Sequence, residues 1–253
     1  MRILVFATRK GGSGKSTLAA GIAVAAQQAG HLVRLIETDP QGTLSNWQRR
    51  RPTQDDLVEA IYDPIEIEPR LRKMRWQGMD LAIIDTPGGM NAAARAAIHC
   101  ADLCLLPTRP CIADLESTRS TLRIVKESRV PFAFVLNQSP TRGQRIDIAT
   151  SSLGGGARHE LADTLAQPFI VSRNDHQDAL AAGLTVVEYA PEGKAALEIR
   201  GLLSWIERRL GLSSMSGLHS DFERESELRP LASTAALARE STDDTCGLWD
   251  SGL

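Results

Sequence analysis

Apolar residues in this chain gather into short continuous runs, and the runs are separated by turn signals. Residues 2–7 form the first run and stop at a glycine-rich stretch. Residues 32–36 are followed by Pro40 and Gly42, residues 81–84 by Pro87 and Gly88, and residues 103–106 by Pro107; residues 132–136 form a further run. Runs of this length, bounded by Gly and Pro, predict strands buried on both faces. Between them the spacing changes. Residues 15–29 are rich in Ala and Leu and are closed by Gly30, which predicts a helix with a glycine C-cap. Helices are also expected over 91–101, 112–128, 144–152 and 159–165. Residues 192–210 carry apolar side chains at 196, 197, 199, 202, 203, 206 and 210, the spacing of one helical face. Short strands are expected at 65–67 and 169–171.

Strand–helix alternation of this kind predicts an α/β fold: a doubly wound, mostly parallel sheet with helices on both faces. Ligands bind such sheets at the carboxyl ends of the strands. The chemically suggestive residues of this sequence fall there, after the runs ending near 7, 36, 84, 106 and 136.

Composition divides the chain in two. Residues 1–212 are expected to form the globular domain. From residue 213 the sequence is rich in Ser, Thr and acids, with three arginines against eight carboxylates, and reads as an acidic, low-order tail. Within it, residues 228–238 could form a short helix and Trp249 could anchor a partner. The whole chain has a net charge of −2, so the body is mildly basic and can hold a basic patch. The first apolar run is too short for a targeting core, and no run approaches a membrane span. A cytoplasmic protein is expected. Cys100, Cys104, Cys111 and Cys246 have no metal-ligand spacing and read as structural thiols.

The glycine-rich stretch carries the chemistry. A phosphate loop must bring several backbone N–H groups around an anion, and glycines allow that approach. Gly11, Gly12 and Gly14 supply it, with Ser13 between them. The helix beginning at Lys15 would point its positive end at the phosphates. Lys15 would reach the β- and γ-phosphates, and Ser16, followed by Thr17, would ligate Mg²⁺. The predicted fold is therefore that of a P-loop NTPase binding ATP and Mg²⁺. One feature departs from the usual G-x-x-x-x-G-K-[ST]: Arg9 stands at the first glycine position, and Lys10 adds a second lysine inside the loop.

The stretch Lys10-Gly11-Gly12-Ser13-Gly14-Lys15-Ser16-Thr17 resembles the deviant Walker A loop of the ParA/MinD family of ATPases. The resemblance extends over residues 1 to about 210. It implies that Lys10 crosses a dimer interface to the partner's ATP. Glu37-Thr38-Asp39-Pro40-Gln41-Gly42 resembles the family's D-x-D-P-Q-G segment; Asp39 then helps orient the attacking water and sits near Mg²⁺, while Glu37 replaces the first Asp. Residues 81–88 resemble Walker B and a switch loop. Asp85 would then bind Mg²⁺ through water, and an unpaired buried acid would otherwise be costly. Residues 105–110 with Asp114 resemble a segment whose helix often lies at the dimer face. Asn137 matches a position that hydrogen-bonds adenine, for which an amide supplies donor and acceptor. Lys10, Lys15 and Asp39 are thus the expected catalytic residues, and Ser16, Asp39 and Asp85 the expected metal site.

The resemblance implies a switch: a homodimer on ATP binding, slow hydrolysis stimulated by a ParB-like or other activator, and nonspecific DNA binding while nucleoid-associated. Candidate DNA contacts are Arg142, Arg145, Arg158, Arg173, Lys194 and Arg200. No basic amphipathic end follows residue 210, which speaks against a membrane partner. Two other uses stay open: conjugation or positioning of a protein complex, and a metabolic ligase of the dethiobiotin synthetase type. Relatives of the nitrogenase iron protein need a cysteine soon after Walker B, and residues 86–99 hold none.

Overall fold

The computed structural model describes residues 1–212 except 54, 143 and 154–163. Its centre is a six-stranded sheet of β1 (Arg2–Phe6), β2 (Val33–Glu37), β3 (Val58–Ala60), β4 (Leu81–Asp85), β5 (Leu103–Thr108) and β6 (Phe132–Leu136). The strand order is β3-β2-β4-β1-β5-β6, and every pairing is parallel. Around it lie α1 (Lys15–Gln28), α2 (Thr43–Arg50), α3 (Pro64–Trp76), α4 (Ala92–His99), α5 (Ile112–Glu127), α6 (Gln144–Leu153), α7 (Asp175–Ala181), α8 (Val186–Tyr189) and α9 (Lys194–Leu210).

The alternation of side chains along β1 explains the two layers. Leu4 and Phe6 join one apolar cluster with Leu18 and Ile22 of α1 and Ile199 and Leu203 of α9. Ile3 and Val5 join a second with Ile67 and Leu71 of α3, Ile98 of α4 and Val125 of α5. Both faces of the sheet are therefore covered, and its strands read as unbroken apolar runs for that reason. The doubly wound parallel sheet matches the expectation.

Two local expectations fail. Residues 65–67 are helical, not extended. Asp63 caps α3 by accepting the Ile65 N–H at 3.0 Å, and Pro64 occupies the first turn, where a missing N–H costs nothing. Buried Ile67, Leu71 and Met74 then follow at helical spacing. Residues 169–171 form no strand; Val171 makes an isolated bridge to Ser139. The third strand is instead Val58–Ala60. The helix expected at 159–165 falls almost wholly outside the described residues, as do the tail from 213, its short helix and Trp249. Cys246 lies there too. Cys104 is buried in β5, and burial pushes its thiol up to about 12, which leaves it unreactive at neutral pH.

Candidate functional site

The carboxyl edge of the sheet gathers the loops after β1, β2, β4, β5 and β6. Residues 10–14 leave β1 and turn directly into α1. Gly12 and Gly14 have φ of 73° and 90°, a region that L side chains rarely adopt. Gly14 is doubly constrained, because a Cβ there would stand 2.2 Å from Asn137 Nδ2. No described side chain caps the N-terminus of α1, and its first turn holds no acid. Its free N–H groups and positive dipole end are suited to an anion.

Lys15 begins that helix and is buried. Burial lowers its pKa below the usual lysine value, while Asp85 and Asp39 act in the opposite sense. The Ser16 hydroxyl donates to Asp85 Oδ2 at 2.6 Å. Asp85 Oδ1 is buried with no hydrogen-bond partner among the described residues. Burial raises the Asp85 carboxyl to about 7; the Ser16 hydrogen bond and Lys15 oppose the rise, and Glu37 and Asp39 add to it. A divalent cation would reverse this balance. No cluster of three or more His, Cys, Asp or Glu side chains capable of holding a metal occurs among the described residues. Ser16 and the orphaned Asp85 oxygen instead fit Mg²⁺, which is commonly held by one or two protein oxygens together with phosphates and water.

Asp39 lies in the loop between β2 and α2. Its Oδ1 accepts the Gln41 N–H at 3.0 Å, and its carbonyl accepts the Gly42 N–H at 3.0 Å. The loop is anchored to β4 at its start, where Thr38 donates from Oγ1 to the Asp85 carbonyl at 2.9 Å. Thr86, after β4, donates to the Phe6 carbonyl at 2.8 Å and ties the switch loop to β1.

The two lysines of the loop part company. Lys15 faces Asp85 and Asp39, whereas Lys10 pairs with Asp114 at the start of α5. Arg109 shares that carboxylate, with Nε 2.6 Å from Asp114 Oδ2. Asp114 is 2% exposed. Burial alone would raise its carboxyl, but the hydrogen bonds from Arg109 and Lys10 outweigh burial and hold it at about 2.

Asn137 and its neighbour brace the loop from beneath. Asn137 Nδ2 donates to the Ser13 carbonyl at 2.7 Å, and Gln138 Nε2 donates to the Gly12 carbonyl at 3.0 Å. One N–H of the Asn137 amide is thereby bound to the loop; an asparagine amide carries a second N–H and an acceptor oxygen besides. Beside it lies a cavity of about 170 Å³ lined by Thr17, Asn137, Gln138, Arg173, His176 and Leu180, among others. His176 Nε2 is buried without a partner among the described residues, and burial lowers the ring's pKa.

Sequence reasoning missed Gln138, His176 and the brace formed by Asn137. No local motif marks the brace, because its partners lie 124 and 126 residues away in the phosphate loop, and His176 falls in the stretch beyond 140 where the motifs are only approximate. Of the expected DNA contacts, Arg173 pairs with Glu198 at 2.6 Å and lines the cavity. Arg200 donates to the Pro191 carbonyl at 2.5 Å. Arg142 and Lys194 are exposed. Arg145 is the second residue of α6, and Arg158 lies outside the described residues. No helix among those residues is long and apolar enough to cross a membrane.

Comparison with known proteins places the chain in a family. The chain matches the CobQ/CobB/MinD/ParA nucleotide binding domain over residues 4–236. It is 27% identical to protein virC1 of Rhizobium rhizogenes over 229 residues, covering 86% of this chain and 98% of the relative. It is 31% identical to the maintenance of carboxysome distribution protein A of Gloeobacter kilaueensis over 205 residues, covering 78% of this chain and 88% of the relative. Its fold is similar to that of the septum site-determining protein MinD complexed with Mg-ADP from Pyrococcus horikoshii, with a TM-score of 0.63 at 21% identity, covering 83% of this chain and 98% of the other. The chain belongs to the ParA/MinD family of P-loop ATPases.

Proposed function

We propose that this protein is an ATP-dependent dimer switch that binds DNA nonspecifically and segregates or positions plasmid or chromosomal DNA. The observation that carries the proposal is the separation of Lys10 from Lys15. Lys15 lies at its own phosphate loop near Asp85 and Asp39, while Lys10 is held at the side by Asp114 and remains 34% exposed. A lysine so placed is available to a second copy.

In this reading residues 10–17 hold the triphosphate, Asn137 faces the base, and Ser16, Asp85 and Asp39 hold Mg²⁺ directly or through water. Mg²⁺ supplies charge neutralisation at the phosphates. The chain's own groups do the rest. Lys15 and the α1 N-terminus bind and orient the phosphates, Asp39 orients the attacking water, and Lys10 completes the partner's site. Phosphoryl transfer needs chiefly alignment and neutralisation, so a site completed in trans makes hydrolysis depend on dimerisation. A ParB-like or other activator then accelerates a slow basal turnover, and the ATP-bound dimer sits on the nucleoid of the cytoplasm. The mildly basic body supports DNA contact through exposed cations such as Arg142 and Lys194.

Sedimentation and a DNA gel shift, each run with ADP and with ATP plus Mg²⁺, test this reading. Dimers and salt-sensitive duplex binding are expected only with ATP. DNA binding indifferent to the nucleotide would overturn it. The carboxysome-distribution relative supports a second reading in which the same switch positions a protein assembly. A fluorescent fusion that follows a protein assembly rather than plasmid DNA would favour that cargo.

A further inference from the structure

The substitution of Glu for the first Asp of the segment after β2 has a structural counterpart. Glu37 is the last residue of β2 and is fully buried. Its side chain spans the residues that follow it and meets the start of α2. Oε1 accepts the Leu44 N–H at 2.7 Å, and Oε2 accepts the Ser45 N–H at 3.1 Å. The Ser45 hydroxyl donates to Oε2 as well. Gly42, the N-cap of α2, has no side chain with which to do this. Glu37 therefore caps from outside the helix, satisfying two of the N–H groups a helix leaves open and placing an acid at its positive end.

We infer that Glu37 is a positioning residue for hydrolysis: it closes the 38–42 loop into a ring and so fixes Asp39. The inference rests on the proposed role of Asp39 in orienting water. One end of the loop is already fixed, because the Thr38 N–H and hydroxyl both donate to the Asp85 carbonyl, at 3.0 and 2.9 Å. Glu37 fixes the other end at Leu44 and Ser45. Asp39 sits between these anchors and folds back on Gln41 and Gly42. The loop's carboxylate is thus held relative to Asp85 and the phosphate loop by two short chains of hydrogen bonds. An aspartate at 37 is one methylene shorter and cannot span the same distance without moving the strand or the helix. A glutamine keeps the length but turns one oxygen into an NH₂ that faces a donor.

The test compares Glu37→Gln, Ser45→Ala and Asp39→Ala with the unaltered full chain. Three quantities are read: ATP affinity by calorimetry, single-turnover hydrolysis with Mg²⁺, and amide exchange at residues 41–46. Glu37→Gln is expected to speed exchange at Leu44 and Ser45. It should slow hydrolysis by about 10- to 100-fold, the scale of an ångström-sized misplacement, with ATP affinity changed by less than about threefold. Ser45→Ala keeps both N–H bonds, and should fold and lose about threefold in rate, reflecting one hydrogen bond. It decides the matter if Glu37→Gln does not fold, and an unchanged rate in Ser45→Ala would then overturn the inference. Faster exchange with unaltered hydrolysis in Glu37→Gln, beside an inactive Asp39→Ala, overturns the role of Glu37 alone. A wild-type rate in Asp39→Ala overturns the reading of Asp39 and the role of Glu37 with it.

Discussion

Replacing Asp114 by Asn removes the one group in the Lys10–Arg109 cluster that titrates in acid, and the structure sets the size of the effect. The carboxyl is held at about 2 in the folded chain, against an ordinary value of 3.8. A shift of that size corresponds to about 2 kcal/mol of stability in the ionised form. The partner cations Lys10 and Arg109 are each 34% exposed, so solvent screening makes this the upper end. The sign follows from the depressed pKa. The native state releases the proton more readily than the unfolded chain, so the stabilisation is complete above about pH 4 and fades as pH falls towards 2. Urea unfolding of both proteins across this range is the assay. The advantage of the wild type over Asp114→Asn should shrink by about two thirds between pH 6 and pH 2.5. A gap that stays constant with pH would refute the argument, since it would mean that the cations do not stabilise the charge.

Three further outcomes are expected. Lys15→Ala should abolish ATP binding measured by calorimetry, because it removes the buried cation of the loop; retained affinity would count against the phosphate site. Asp85 titrates in the opposite sense to Asp114: its folded pKa is raised to about 7, so the native state keeps the proton, and the nucleotide-free protein should lose on the order of 4 kcal/mol as pH rises from about 4 to about 7. Asp85→Asn should flatten that slope in a melting series, and an unchanged slope would show that another group is responsible. Gly183 has φ of 74°, and a Cβ there would lie 2.2 Å from the Arg50 carbonyl oxygen; Gly183→Ala should cost about 1–3 kcal/mol or more in chemical denaturation, and a neutral result would contradict the close contact between the end of α2 and the turn after α7.

What could be read from the sequence depended on whether a residue's identity alone implies its geometry. Gly12, Gly14 and Lys15 were legible because left-handed φ and close phosphate approach require those residue types. Asp85 was legible because an acid ending a wholly apolar strand is costly to bury unless a cation or ligand meets it. Residues 65–67 misled because Ile65-Glu66-Ile67 alternates like a strand and Pro69 follows; the decisive signal was the Asp63–Pro64 helix start just before it. α2 was not visible at all. It has only eight residues, and its two buried side chains, Leu44 and Trp47, are too few to set a period. Its position also depends on partners far along the chain: the Trp47 indole donates to the Leu184 carbonyl at 3.1 Å, and Arg51 just past its end pairs with Glu188, each 137 residues away. No local pattern encodes such contacts, and the same is true of Asn137 and Gln138, whose partners are 124 and 126 residues away.

The arrangement around Asp114 also bears on why a second lysine can be released without great cost. Removing the only partner of a buried carboxylate leaves an uncompensated charge and costs several kcal/mol. Asp114 has two cationic partners, and they enter differently: Arg109 comes from the loop between β5 and α5, whereas Lys10 comes from the phosphate loop 104 residues away. If Lys10 departs, the guanidinium, with Nε at 2.6 Å and Nη2 at 3.2 Å, still engages both carboxylate oxygens. The acid stays ionised and paired. Lys15, by contrast, is buried at the start of α1 near Asp85 and Asp39. In the proposed switch, the loop would thus hold one buried lysine and one whose release its surroundings can tolerate, the division of labour that a site completed by a second copy requires.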